Sequence, residues 1–378
     1  MKKGVLIFAF LPIFITAQQN KEVLFLGNSY TSVNDLPLLI KKIASSFGDT
    51  LSYDSSTPGG ATLNTHSTNQ QTLSKIKNRN WDYVVLQAQS QEPSFSVIQV
   101  VNDTYPYAEI LVDSIKANYN CTEPLFYMTW GRKYGDQQNC QFYPPICTYI
   151  GMQQRLKESY LEMAITNNAS CAPVGIAWKA SIAIDSNLNL YSTDNSHPSI
   201  YGSYLAACTF YASIFKKSPV GSSFWPLAID SATAYSLQQI ASSTFLDSLA
   251  IWNVFNANFS IQQINDSITC TNLSSNYESL LWNFGDGTVS FNENPMHTYS
   301  SNGTYEITLS AFSNSGCLVD TYSVTIPVSI NTAIDEVKAS NQLVQITDIL
   351  GRKVFLRKSI PLLYHYDDGT IKKRIVIE

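Results

Sequence analysis

The stretch VLFLGNSYTSVND, Val23 to Asp35, decides how the larger part of this chain folds. Val23 to Leu26 is an unbroken apolar run, as expected of a strand covered on both faces. It stops at Gly27. Beyond it, Leu36, Leu39, Ile40, Ile43, Ala44 and Phe47 recur at helical spacing. Ser29 therefore stands where a buried strand gives way to a helix. Two readings are open for it: a helix-capping serine, or a nucleophile displayed at the edge of a sheet.

The same pattern repeats down the chain. DYVVLQ (82–87), PLFYMTW (124–130) and APVGIAW (172–178) read as further buried strands, with helices expected over 97–118, 148–167 and 198–215. Alternating strands and helices predict a flavodoxin-like α/β fold, a parallel sheet sandwiched between two helical layers. Such sheets bind ligands beyond the carboxyl ends of their strands, which is where Ser29 lies. This domain is expected over residues 20–253. Over 254–328 the helical period vanishes and short alternating runs such as TYEITLSAF appear between Asn, Ser and Gly turns. They predict an immunoglobulin-like β-sandwich. Residues 329–378 form a third, small β piece, with seven basic against three acidic residues from Gly351 onward.

Composition narrows the function. Charged residues are only 14% and the net charge is -5, which suits an extracellular protein better than a nucleic-acid binder with its basic face, so no nucleic-acid partner is expected. Lys2 and Lys3 precede an apolar stretch, Val5 to Ile15, and Ala17 offers a small residue before a cut. Residues 1–17 thus read as a secretory signal, too short to span a bilayer. No other apolar run is long enough to cross a membrane, so the mature chain is expected to have no transmembrane segment. Seven cysteines leave at least one unpaired. Cys140 and Cys147 are expected to close their short loop. Cys270 and Cys317 share the later β-rich region and can pair there, Cys121 and Cys171 can pair across neighbouring strands, and Cys208 is then the candidate for a free, buried thiol. No Cys/His spacing points to a metal, and no cofactor is expected.

A serine becomes a nucleophile when a base takes its proton, a third group orients the base, and donors hold the oxyanion. Of the four histidines, His297 and His365 fall outside the α/β domain. His66, in the polar stretch GGATLNTHSTN, reads as a solvated loop residue. His197 follows Asp194 by three residues, just before a helix, so the carboxylate can hold one ring nitrogen while the other faces outward.

Gly27-Asn28-Ser29 at the end of the first strand, with Asp194-x-x-His197 before the last helix, resembles the SGNH (GDSL-like) hydrolases over roughly 22–250. The resemblance implies Ser29, Asp194 and His197 as the catalytic triad. It implies an oxyanion hole made by the backbone N–H groups of Ser29 and Gly60 with a side-chain amide. The family takes that amide from the Asn of Gly-x-Asn-Asp; here Gln89-Ser90-Gln91-Glu92 aligns with the block. Gln91 thus replaces the Asn, with Gln89 or Gln87 as substitutes. Asn28, Trp130 and Arg132, with Tyr134, are expected to shape the substrate pocket. The implied activity is that of a serine esterase on a small ester or acylated carbohydrate. Two alternatives stand beside it: an inactive surface protein that binds glycans, and a lipase or thioesterase of the same fold.

The β module contains LWNFGDGTVSFNENPMHTYSSNGTYEITLSAF, which resembles the PKD domain at Trp282, Phe284, Gly285, Asp286, Gly287, Pro295, His297, Tyr299, Gly303 and Tyr305. The tail, with Asp348-x-x-Gly351-Arg352-x-Val354 and a final KKRIVI, resembles the type A sorting domain of the type IX secretion system. Together with the signal peptide it implies recognition by secretion machinery and a secreted or cell-surface location.

Overall fold

The computed structural model describes residues 18–313, 316–317, 319–330, 342–355 and 359–375. The expected signal peptide lies outside these residues. The chain divides into two compact units, one ending at Val328 and one starting at Ser329.

In the first unit, five parallel strands, β1 (Asn20–Leu26), β2 (Thr50–Ser56), β3 (Tyr83–Leu86), β4 (Glu123–Tyr127) and β5 (Ser170–Ala172), form a sheet in the order β2-β1-β3-β4-β5. This is the flavodoxin-like order. The uninterrupted apolar run in β1 is explained by its two neighbours. Val23 and Phe25 join the core beneath helices Leu36–Ser46, Ile200–Phe215 and Ser231–Leu246, while Leu24 and Leu26 join the core beneath Tyr105–Asn118 and Tyr149–Thr166. Side chains alternate along a strand, so a strand covered on both faces has no polar positions to spare.

Two expected elements differ. APVGIAW is a strand only as far as Ala172; Val174–Ile184 is a helix that buries Val174, Ala177, Trp178 and Ser181. A short apolar run fits a buried strand and a buried helix equally well, and Pro173 cannot donate to the sheet ladder. The expected helix 97–118 is broken into Val97–Asp103 and Tyr105–Asn118, with Pro106 at the start of the second. Pro106 lacks the N–H needed to carry the first helix onward.

The β module pairs two antiparallel sheets. β6 (Phe259–Ile264), β7 (Ser267–Asn272) and β10 (Met296–Thr298) form one, in the order β10-β7-β6. β8 (Ser279–Asn283), β9 (Val289–Ser290), β11 (Gly303–Phe312) and β12 (Val319–Val328) form the other, in the order β12-β11-β8-β9. Trp282, Phe284 and Tyr299 are buried between them; the Trp282 indole donates to Asn292 O, and the Tyr299 hydroxyl to Phe284 O.

Cys140–Cys147 is bonded and Cys208 is a buried free thiol, as expected. The remaining pairing is corrected: Cys121 bonds Cys317, leaving Cys171 and Cys270 free and buried. The cause is tertiary. Cys317, between β11 and β12, meets Cys121 just before β4, and Asp320 at the start of β12 accepts from the Ala257 N–H just ahead of β6. Cys171 and Cys270 instead fill apolar interior positions.

The second unit holds β13 (Leu343–Thr347), β14 (Pro361–Tyr366) and β15 (Ile371–Ile375) in one antiparallel sheet. Asp348 accepts from the backbone N–H groups of Leu350 and Arg352 and from the Arg352 guanidinium, closing the Asp-x-x-Gly-Arg turn.

Candidate active site

Ser29 is the first residue of a single helical turn, Ser29–Ser32, beginning where β1 ends. The first N–H groups of a helix lack partners inside it. Asn28 caps this turn by accepting from Tyr30 N (3.1 Å), while the Ser29 N–H donates to no protein acceptor among the described residues. Gln87, fully buried at the end of β3, clasps the turn. Its Oε1 accepts from Asn28 N (3.1 Å) and Thr31 Oγ1 (2.8 Å), and its Nε2 donates to Asn28 Oδ1 (2.7 Å) and Ala88 O (2.8 Å). This contact explains Gly27: a Cβ there would lie 2.5 Å from Gln87 Oε1 and 2.6 Å from Thr31 Oγ1.

The second part is the loop before helix Ile200–Phe215. Asp194 organises it. Its Oδ1 accepts from Ser192 Oγ (2.8 Å), Ser196 N (3.0 Å) and His197 N (2.9 Å), and its Oδ2 faces His197 Nδ1 at 2.5 Å. Desolvation raises the carboxyl's pKa, but the His197 ring, the Ser192 hydroxyl and the two backbone N–H groups outweigh it and hold Asp194 well below the usual carboxylate range. Nδ1 faces a carboxylate and so carries a proton. That leaves Nε2 as the acceptor for Ser29 Oγ, 2.8 Å away. The side chains of His197 and Asp194 are 35% and 47% exposed, so the row opens directly to solvent.

Rings seat this loop. Tyr30 stacks on Trp130 (4.7 Å between centroids, 3° between planes), and Trp130 stacks on Trp178 (3.8 Å, 1°). The Tyr30 hydroxyl meets Ser196 Oγ at 2.7 Å, and Trp130 Nε1 donates to Ser196 O at 3.0 Å.

The expected triad is therefore brought together, but several other expectations are revised. Trp130 is 0% exposed and Asn28 2%, so neither lines a substrate pocket; both lie under the site and hold it. Arg132 does reach partly outward and pairs loosely with Asp136 (3.6 Å). Gly60 sits beside the serine turn, since Asn28 Nδ2 donates to Ala61 O at 3.0 Å. Its φ of +69° gives the turn a conformation that suits glycine. The glutamine amides are turned elsewhere. Gln91 Nε2 donates to buried Asp136 Oδ2 (2.8 Å), Gln89 Nε2 to Gln91 Oε1 (3.3 Å), and both Gln87 hydrogens are used within the clasp. The extra methylene of Gln91 lets its amide reach the 131–136 loop.

His66 is a further correction. It is fully buried, not solvated, and touches Gly27 O and Thr72 Oγ1. Its spacing from Leu63 on one helical face was the available signal, masked by polar neighbours. Gln87 and Tyr30 were likewise legible only as strand-end and helix residues.

The sheet order, with a serine turn after β1 and an Asp-x-x-His loop before helix Ile200–Phe215, defines the class of the larger domain: a flavodoxin-like three-layer α/β fold, here followed by an antiparallel β-sandwich. Residues 257–328 match the family model described as "PKD domain". Among solved structures, the chain is similar to a DUF4886 family protein from Bacteroides uniformis, at 17% identity and a TM-score of 0.52, covering 61% of this chain and 95% of that one. A candidate SGNH hydrolase from Slackia heliotrinireducens is 25% identical, with a TM-score of 0.42 and coverage of 51% and 97%. The PKD1 domain of the Vibrio cholerae metalloprotease PrtV is 34% identical, with a TM-score of 0.19 and coverage of 19% and 94%. No curated protein matches the chain in sequence.

Proposed function

We propose that this chain is a serine esterase acting through an acyl-enzyme on Ser29. The observation that carries the reading is the continuous row from Ser29 Oγ to His197 Nε2, 2.8 Å, and from His197 Nδ1 to Asp194 Oδ2, 2.5 Å. His197 Nε2 takes the hydroxyl proton as Ser29 Oγ attacks the ester carbonyl. The imidazolium then returns that proton to the departing alcohol. Asp194, held ionised by its hydrogen bonds, fixes the tautomer and stabilises the cation. The unpaired N–H of Ser29 and that of Gly60 supply the oxyanion donors. Water, activated by His197, releases the acid.

The open site suits an acyl group carried on a large alcohol, and an acylated carbohydrate is the substrate class proposed. Two disulfides suit an oxidising compartment, and among the described residues no helix is long and apolar enough to cross a membrane. Export directed by residues 1–17 and by the C-terminal piece is part of the proposal. Turnover of p-nitrophenyl acetate by the wild type and by Ser29→Ala tests the chemistry; equal rates defeat it. Acetate release from acetylated oligosaccharides tests the substrate class. A second reading, a glycan-binding surface protein with a silent site, is favoured by the glutamine amides turned away from Ser29. It requires that wild type and Ser29→Ala bind glycan alike with no turnover.

A further inference from the structure

The Ser29 mechanism asks two backbone N–H groups from different segments to point at one oxygen. Ser29 N follows the Gly27–Asn28 peptide. Gly60 N precedes helix Leu63–Thr68. A 1 Å misplacement in such an arrangement costs on the order of 10²-fold in rate. Something must therefore fix the two segments to each other.

We propose that His66 is a positioning residue for the oxyanion hole, its imidazole locking the peptide before Ser29 to the segment that carries Gly60. The proposal rests on the esterase reading of Ser29. His66 stands on that helix, six residues after Gly60, and is 0% exposed. Its Nε2 lies 2.8 Å from Gly27 O. A carbonyl only accepts, so Nε2 carries the proton. Nδ1 must then accept, and it does so from Thr72 Oγ1 at 3.1 Å; that hydroxyl in turn accepts from Ser56 Oγ at 2.9 Å. The row Ser56, Thr72, His66, Gly27 thus has one direction, and the ring is neutral within it. Burial, opposed by the bond to Gly27, lowers its pKa and favours that neutral form.

The Gly27–Asn28 peptide is gripped at both ends. His66 holds its carbonyl, and Gln87 Oε1 holds its N–H at 3.1 Å. A peptide plane fixed on both sides cannot rock, so the next N–H, that of Ser29, keeps its aim. Asn28 Nδ2 on Ala61 O, 3.0 Å, closes the link one residue from Gly60. His66 touches neither Ser29 nor the expected position of substrate. Its effect passes through the backbone, so losing it lowers kcat and spares KM.

The test compares wild type, His66→Leu, His66→Gln and Thr72→Val for p-nitrophenyl acetate kinetics, fluorophosphonate labelling of Ser29 and thermal melting. His66→Leu is expected to lose about 10–10²-fold in kcat and in labelling rate, with KM within about twofold. His66→Gln, whose amide N–H reaches the Gly27 carbonyl, is expected to recover most of the loss. Thr72→Val removes the bonds to His66 Nδ1 and to Ser56 Oγ, leaves the one to Gly27 in place, and is expected to cost a few-fold, which keeps the test alive if His66→Leu does not fold. Wild-type kcat in folded His66→Leu overturns the inference, as does a change in KM alone. Equal losses in Leu and Gln variants, tracking a lowered melting temperature, also overturn it. A wild type that neither turns over nor labels defeats the esterase reading, and this role with it.

Discussion

Among the described residues of the first unit, two imidazole–carboxylate pairs stand out, and they differ in what lies beyond the imidazole. Asp194–His197 presents its other ring nitrogen to Ser29 Oγ. Asp286–His297 is built from the same two groups, 2.8 Å apart, in the β-sandwich. There the ring stacks on Phe284 (4.2 Å, 10°) and meets the edge of Tyr299, while Asp286 also ties down the Thr288 N–H and hydroxyl. One pair orients a base toward a hydroxyl; the other seals a tight turn against an aromatic core. A histidine next to an aspartate is thus not a catalytic signal. The third partner makes it one.

The sharpest way to break this comparison is to delete the third partner. Ser29→Ala or His197→Ala is expected to lower ester turnover by about 10⁶-fold, while His297→Ala leaves the rate unchanged; steady-state kinetics on one substrate reads both. Asp194→Asn keeps the shape but loses the tautomer control, and about 10⁴-fold is expected.

Removing the covalent link between the two domains by Cys121→Ser with Cys317→Ser is expected to cost about 2–4 kcal/mol in denaturant unfolding, with kcat untouched. Asp286→Ala, which strands the Thr288 N–H and the His297 ring, is expected to cost about 1–2 kcal/mol in the same measurement, again without a kinetic effect. The smallest effect lies at Glu92. Burial, and behind it the charge of Asp103, push its carboxyl up to about 7. The folded state therefore disfavours the charged form. The penalty is absent below the ordinary carboxylate range, builds up as pH rises towards 7, and is fully present above it. Glu92→Gln is expected to gain about 1 kcal/mol over wild type at pH 8, a figure kept small because water still reaches the group, and nothing at pH 4. Melting curves at the two values check it.

Much of this was legible because it is local. The apolar run of β1 and the spacing Leu36, Leu39, Ile40, Ile43 need only the period of a strand and of a helix. Asp194 and His197 sit in one loop, and that loop folds about the Asp194 carboxylate. What escaped the sequence depends on distant partners. Gln91 turns toward Asp136, 45 residues on. Cys121 finds Cys317 at a separation of 196, whereas local reasoning pairs each cysteine within its own domain. His66 reads as solvated among threonines and asparagines, yet the carbonyl it serves is 39 residues back. APVGIAW misleads for another reason: its apolarity is real, but burial does not choose between strand and helix.

The Cys121–Cys317 bridge gives the first unit a polarity. Cys121 precedes β4, so the sandwich is fastened at the edge of the parallel sheet opposite to Ser29, which follows β1. From that anchor β12 runs ten residues to Val328, about 30 Å at the rise of a strand. The loops around Ser29 can then lengthen, shorten or change their side chains to suit a new ester without renegotiating the joint to the PKD domain.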